Sequence, residues 1–416
     1  MTAEPTSPPQ APASVSVSDI RNAAHAGAGV IRETPVLSSR TLAERTGMLV
    51  ALKAENLQRT GSFKLRGALA KIASLGEGCE AGVVCGSAGN HAQAVAYAAR
   101  ARGVACEVFM PEAASIAKIE AAVALGAHVR LVGATVDESL AAAHERARQG
   151  GLAFVHPFDD PQVIAGQGTL GLELLDQVPD IERVVVPVGG GGLISGVAIA
   201  VKSARPEVRV VGVQVEGCAP FPASIAAGEP VAVDSALTIA DGIAVKRPGE
   251  LTLSLISTWV DEMVVVGEDE VAEAMVFLLE RAKLVVEGAG AVGVAALLAG
   301  RLEGPGRATT VAILSGGNVD PGLLAQIARR HETQAGRRLM LLARLPDRPG
   351  SLAQLLSLVG QLGANLLDVE HIREGLDLHV RESAVQLVLE TRGPGHATEV
   401  ARAVRAAGYA EPLAVR

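Results

Sequence analysis

Seven short runs rich in valine, isoleucine and threonine recur between residues 83 and 314: VVC (83–85), ACEVFM (105–110), HVRLVG (128–133), AFVH (153–156), RVVVPV (183–188), VRVVGVQV (208–215) and TTVAIL (309–314). Ala-rich stretches of helix length, such as NHAQAVAYAARARG and SIAKIEAAVALG, lie between them. Strands that are apolar on both faces must be covered on both faces, and parallel neighbours need a crossover, usually a helix. The pattern predicts an α/β fold whose parallel sheets are sandwiched between helices. In such folds ligands sit beyond the carboxyl ends of strands, where helices begin. Those turns are where chemistry is to be sought.

A chain of 416 residues, 49% hydrophobic and 20% charged, is long enough for roughly two or three domains. The net charge of -8 comes from interleaved acidic and basic residues, which gives no footprint for nucleic acid or an anionic membrane. GAGAVGVAALLAG (288–300) falls short of the ~20 residues a membrane span needs, and a buried helix explains it. Cys79, Cys85, Cys106 and Cys218 form no C-x-x-C pair and no disulfide framework, which points to reduced thiols and a cytoplasmic protein. Residues 1–18 are proline-rich without a basic start or an apolar core, so a disordered tail is expected rather than a secretory signal.

Three turns ask for related ligands. In VVVPVGGGGLISG a strand runs into Gly189, Gly190, Gly191 and Gly192 and then a helix, so consecutive N–H groups and the helix start can cradle a phosphate. A dinucleotide is the alternative, with Glu216 closing the next strand, but G-x-G-x-x-G fails in every register. CGSAGNHAQ (85–93) is a second strand-to-helix turn, with Ser87 as a good N-cap and Asn90 and His91 in the first turn; it suits a carboxylate. The third, TGSFKLRGA (60–68), sets Lys64 among small residues behind Phe63. A lysine in crowded apolar surroundings loses its charge near neutral pH and becomes an amine able to hold an aldehyde. Aldehyde, phosphate and amino-acid substrate meet in one cofactor, pyridoxal 5'-phosphate.

Taken together, ENLQRTGSFKLRGA, SAGNHAQ, HPFDD with AGQGT (156–169), GGGGL, ADGIAV (240–245) and SGGNVD (315–320) resemble, in order, the threonine and serine dehydratases of the tryptophan-synthase-like pyridoxal phosphate enzymes. The resemblance implies two parallel-sheet α/β/α domains over residues 19–330, the smaller one, roughly 65–155, inserted in the larger. It implies that Lys64 holds the cofactor aldehyde and then takes the Cα proton, that Gly189, Gly190, Gly191, Gly192 and Leu193 bind its phosphate, and that Asn90 bonds the ring hydroxyl. Phe63 and Gly242 would lie against the ring, and Ser315 would meet its nitrogen. Ser87, Ala88, Gly89 and Asn90 would bind the substrate. The implied reaction is deamination of threonine to 2-oxobutanoate and ammonia by β-elimination, with a serine-preferring dehydratase or a serine/threonine racemase as the alternative. Ala88 replaces the serine of the racemase branch, so elimination without efficient racemisation is expected. No metal is expected, because Pro222 stands where relatives that bind a divalent ion near Glu216 need an acid. Glu287 is expected to be a helix-start acid near the site, and His156 to order a loop; Arg59 and Arg66 are expected to be surface charges.

Beyond the polar stretch RRHETQAGRR (329–338) the pattern changes. With 331–337 as linker, residues 338–416 follow a βαββαβ order, a ferredoxin-like unit. PDRPGSLAQLL and LGANLLDVEH within it resemble the ACT domain, an amino-acid-sensing module. The resemblance implies an amino-acid effector and association into a homo-oligomer, dimer or tetramer.

Overall fold

Each of the seven apolar runs supplies a parallel strand in the computed structural model, which describes residues 14–302, 308–373 and 378–409. The chain divides into two units, 1–319 and 320–416. The described strands of the first unit are β1 (Val36–Ser38), β2 (Val50–Ala54), β3 (Val83–Gly86), β4 (Cys106–Met110), β5 (His128–Leu131), β6 (Ala153–Phe154), β7 (Ile181–Pro187), β8 (Arg209–Val215), β9 (Glu262–Val266) and β10 (Thr309–Leu314). They form a six-stranded sheet in the order β1-β2-β10-β7-β8-β9 and a four-stranded sheet in the order β5-β4-β3-β6. All pairings are parallel except that of the edge strand β1 with β2. The strands of the four-stranded sheet lie in sequence between β2 and β7.

Central strands carry the core, as their continuous apolar runs require. Val184, Val185, Val186, Val210, Val211, Val311 and Ile313 are fully buried, and the helix Gly192–Ala204 contributes Ile194 and Val197 to the same core. The run at 288–300 forms the helix Gly288–Leu298, buried from Gly288 to Leu297, as an all-apolar helix must be. No helix among the described residues is long and apolar enough to cross a membrane. β5 is less apolar in place than expected: it is a sheet edge, with His128, Arg130 and Leu131 exposed. All four cysteines are free and buried.

Two boundaries differ from the sequence expectation. Residues 14–18 belong to no disordered tail: Ser16 caps the helix Val17–Gly27 in a capping box with Asp19, and Val15 and Ile20 are buried. Residues 1–13 lie outside the described residues. Nor are residues 331–334 linker. They end the helix Pro321–Gln334, capped by Asp320, whose polar composition is that of a largely solvated helix with only Ile327 buried.

The second unit contains β11 (Arg338–Pro346), β12 (Asn365–Ile372) and β13 (Glu382–Glu390), an antiparallel sheet in the order β11-β13-β12. The helices Ser351–Gln361 and Pro394–Ala406 supply Leu355, Val359, Val400 and Val404 to its core. The described order is thus βαββα; the expected last strand falls after residue 409, outside the described residues.

Candidate active site

Lys64 is the first residue of the helix Lys64–Leu75, and the loop before it is zipped onto the loop after β10. The N–H of Phe63 donates to the Ser315 carbonyl at 3.0 Å, Gly317 N–H donates to Gly61 O at 2.9 Å, and Ser62 bridges Gly316. Lys64 Nζ donates to the carbonyl of Pro157 at 2.8 Å and lies 5.3 Å from the centre of the Phe63 ring. By surface area the residue is only half-buried, yet protein crowds its amine. That desolvation lowers its pKa to about 8, against the pull of Glu287 in the other direction. No carboxylate bonds the amine directly among the described residues.

The loop that accepts from Lys64 also abuts the glycine turn. A methyl on Gly190 would lie 2.2 Å from Phe158 Cγ, and one on Gly192 would lie 2.9 Å from Phe158 O. Gly191 adopts φ 92°, and a Cβ there would come within 2.9 Å of Phe221 and Ile256. Glycine is therefore required by packing as well as by any ligand. Among the described residues, the N–H groups of Gly189, Gly190, Gly191, Gly192 and Leu193 have no acceptor within the chain. Since Gly192 and Leu193 open a helix, the donors meet an anion's requirements without rearrangement.

A methyl on Gly189 would lie 3.0 Å from Ile243 Cα, and one on the next residue back, Gly242, would lie 3.4 Å from Glu287 Oε1. Glu287 accepts from Asn90 Nδ2 at 2.7 Å, and a methyl on Gly316 would strike its carboxyl. Gly316 follows Ser315, whose carbonyl holds Phe63. A closed circuit of contacts thus joins Lys64, Phe63, Ser315, Asn90, Gly242 and the glycine turn. Ser87, Ala88 and Gly89 adjoin it through Asn90, all half-buried.

Ser315 is buried, and its hydroxyl has only a long contact, 3.5 Å, to the Ala289 carbonyl, so it can serve another acceptor. Ser87 is not the N-cap of its helix. Asn90–Ala101 starts two residues later than that, with Gly89 at the cap, and Ser87 Oγ instead accepts from Gly89 N–H at 3.2 Å. His91 is buried against the Val155 carbonyl at 2.9 Å; burial drives its pKa down to about 3, so it is a neutral structural group. His156 orders its loop: Nδ1 accepts from the N–H groups of Phe158 and Asp159, and burial lowers its pKa to about 4.

Glu287 is more than a helix-start acid. It is 5% exposed, and burial followed by the charge of Asp241 raises its pKa to about 7. Sequence reasoning also passed over Asn318, which donates to both Asn90 Oδ1 and the Thr60 carbonyl at 2.8 Å. It lies inside SGGNVD, but nothing in the spacing marks it. Arg66 is not a surface charge. It is 2% exposed, paired with Glu55 and Glu173, because two carboxylates distant in sequence converge on it. Arg59 is an exposed charge, its Nε donating to the Val30 carbonyl.

The residues present fit pyridoxal phosphate: free donors for the phosphate, an amine of lowered pKa for the aldehyde, and a loosely held hydroxyl for a ring nitrogen. Comparison with known proteins agrees. Residues 28–316 match the family model described as pyridoxal-phosphate dependent enzyme. The L-threonine ammonia-lyase of Thermotoga maritima is 47% identical over 396 residues, 95% of this chain and 98% of that protein. Among solved structures, maize serine racemase superposes with a TM-score of 0.72 at 36% identity, covering 77% of this chain and 98% of its own. The processed form of threonine deaminase isoform 2 from Solanum lycopersicum gives a TM-score of 0.70 at 36% identity, covering 75% and 86%. With a family model matched over residues 28–316 and 95% of its length aligned with a relative at 47% identity, the chain belongs to the pyridoxal-phosphate dependent enzymes.

Proposed function

We propose that the chain is a threonine ammonia-lyase that deaminates L-threonine to 2-oxobutanoate and ammonia by β-elimination. The observation that carries this reading is the amine of Lys64, crowded, bonded to no carboxylate among the described residues and lowered to about 8, in contact through one loop with the glycine turn. Bound pyridoxal phosphate supplies a carbonyl for the amine and an electron sink for the Cα–H bond. With the cofactor bound, Lys64 Nζ would hold that carbonyl and, as a free amine, would take the proton from Cα of the substrate. The N–H groups of Gly189, Gly190, Gly191, Gly192 and Leu193 would hold the phosphate, Asn90 would donate to the ring oxygen, and Phe63 and Gly242 would lie against the ring. Ser87, Ala88 and Gly89 receive the substrate carboxylate. Ser315 would offer the ring nitrogen a neutral hydroxyl rather than a carboxylate, a shallow sink that favours loss of the β-hydroxyl, which takes up a proton and leaves as water, over transamination. Hydrolysis of the released enamine completes the reaction.

The likeness to a serine racemase supports a second reading, a serine-preferring dehydratase or racemase of the same fold. Incubation with L-threonine and L-serine in turn, with 2-oxobutanoate, pyruvate and both enantiomers quantified, separates the two. Faster 2-oxobutanoate formation and little racemisation support the first; racemisation on the scale of elimination overturns it.

For the second unit we infer an ACT-type effector domain. The βαββα order and Gly350, at φ 87° before the helix Ser351–Gln361 with no side chain capping it, support an effector carboxylate at that helix start. Isoleucine or valine is the effector to test first by calorimetry, and a cytoplasmic homo-oligomer, dimer or tetramer, serving isoleucine biosynthesis or threonine catabolism is the setting this reading implies.

A further inference from the structure

Asn90 is held at both ends of its amide by groups whose roles can be ranked. The Thr60 carbonyl can only accept, so the atom of Asn318 at 2.8 Å from it is Nδ2, as assigned. The second proton of that same Nδ2 points to Asn90, 2.8 Å away, and requires an oxygen there. The far end of the Asn90 amide is then nitrogen, and one of its two protons goes to Glu287 Oε1 at 2.7 Å. One N–H of Asn90 remains. A flipped Asn90 would set N–H against N–H at Asn318.

Glu287 by itself does not fix this polarity. Raised to about 7, its carboxyl carries a proton part of the time near neutrality and then tolerates either amide orientation. The Thr60 carbonyl never titrates. Asn318 is exposed, and it reaches the Thr60 carbonyl only because residue 61 lacks a side chain: Gly61 sits at φ 72°, and a methyl on it would lie 2.4 Å from Asn318 Oδ1.

We propose that Asn318 is a positioning residue for the cofactor. Anchored on the Thr60 carbonyl across Gly61, it locks the Asn90 amide so that an N–H, and not the oxygen, faces the cofactor's ring oxygen. The inference rests on the reading that Asn90 meets that oxygen. A donor in that place favours the unprotonated ring oxygen, because a hydrogen bond to the charged form lowers its pKa.

The test is titration of the apoenzyme of the full chain with pyridoxal phosphate, reading affinity and the ratio of the two absorption bands that distinguish a protonated from an unprotonated ring oxygen. Asn90→Ala sets the scale. Asn318→Asp replaces both N–H donors by a carboxylate and is expected to weaken cofactor binding by about tenfold and move the ratio toward the protonated form. Gly61→Ala leaves Asn318 in the chain but displaces it, and should move the ratio the same way. Melting temperatures confirm folding of each variant. If Asn90→Ala changes neither quantity, the placement of Asn90 is wrong and the proposal goes with it. If Asn90→Ala moves both while Asn318→Asp and Gly61→Ala leave the ratio unchanged, even with weaker binding, Asn318 is only structural and the proposal alone is overturned.

Discussion

Lys64 and Arg66 stand two residues apart at the start of one helix, and the protein treats their charges in opposite ways. Arg66 lies among carboxylates. Its Nε and Nη2 donate to Glu55 at 2.8 Å each, while Nη1 and Nη2 donate to Glu173 at 2.6 and 2.9 Å. Lys53, fully buried, completes the cluster with bonds to Glu173 at 2.6 Å and to the Thr34 carbonyl and Gln177 at 2.8 Å. Burial works against the Arg66 charge, but Glu55 and then Glu173 hold its pKa above the ordinary arginine range. Among the described residues Lys64 hydrogen-bonds a carbonyl and no carboxylate, and desolvation lowers it to about 8. Burial lowers a lysine even where a carboxylate bonds it, as at Lys53 beside Glu173, whereas at Arg66 two carboxylates outweigh burial. At Lys64 desolvation acts with no bonded counter-ion among the described residues to oppose it.

Exchanging the two roles should break the molecule in different ways. Lys64→Ala should reduce threonine deamination by about 10³-fold or more while leaving the melting temperature of the apoprotein unchanged or higher, since no carboxylate loses a partner. Arg66→Met should cost about 3–5 kcal/mol of stability, read as a lowered denaturant midpoint, because Glu55 is left unpaired at zero exposure. Adding Glu55→Gln to Arg66→Met should recover part of that loss. Equal destabilisation by the two single variants would abolish the distinction.

How much of this contrast was legible in the sequence depends on the range of the interactions. Runs such as RVVVPV and VRVVGVQV announce buried parallel strands because periodicity is local, and Lys64 and the glycine turn stand out because their residue types are unusual in place. Arg66 looked like a surface charge, the ordinary fate of an arginine. Its partners are 11 and 107 positions away, and no local pattern announces them. Asn318 failed for the same reason, since its partner carbonyl at Thr60 is 258 positions distant. The helical residues 331–334 are hidden for another reason: a solvated helix with one buried residue lacks the apolar stripe that marks most helices.

Titration sharpens the comparison with a smaller effect. In the apoprotein, acylation of Lys64 mapped by peptide mass should follow a midpoint near pH 8 rather than 10.5. Glu287 raises the Lys64 pKa, so Glu287→Gln should move the midpoint below 8. The sign for stability follows by linkage. Between about 8 and 10.5 the unfolded chain holds a proton on this lysine that the folded chain has released, so apoprotein stability from this group rises with pH across that window. Lys64→Met should remove that rise; Arg66→Met should not.

The smallest expected effect concerns how many groups in the site carry a proton at all. On the proposed reading Lys64 takes the Cα proton on one side, and Ala88, half-buried between Ser87 and Gly89, has none to return on the other. Ala88→Ser supplies a hydroxyl there, and chiral chromatography after incubation with L-serine should show D-serine appearing while pyruvate formation persists. The substitution adds one oxygen at a partly open position, so folding is not at stake and the enantiomer ratio is the sensitive readout. An unchanged ratio would mean that residue 88 does not face Cα. Racemisation by the unaltered chain at a rate comparable to elimination would mean that a second proton carrier is already present; Glu287, buried, raised to about 7 and bonded to Asn90, is then the described group whose replacement by glutamine should abolish it.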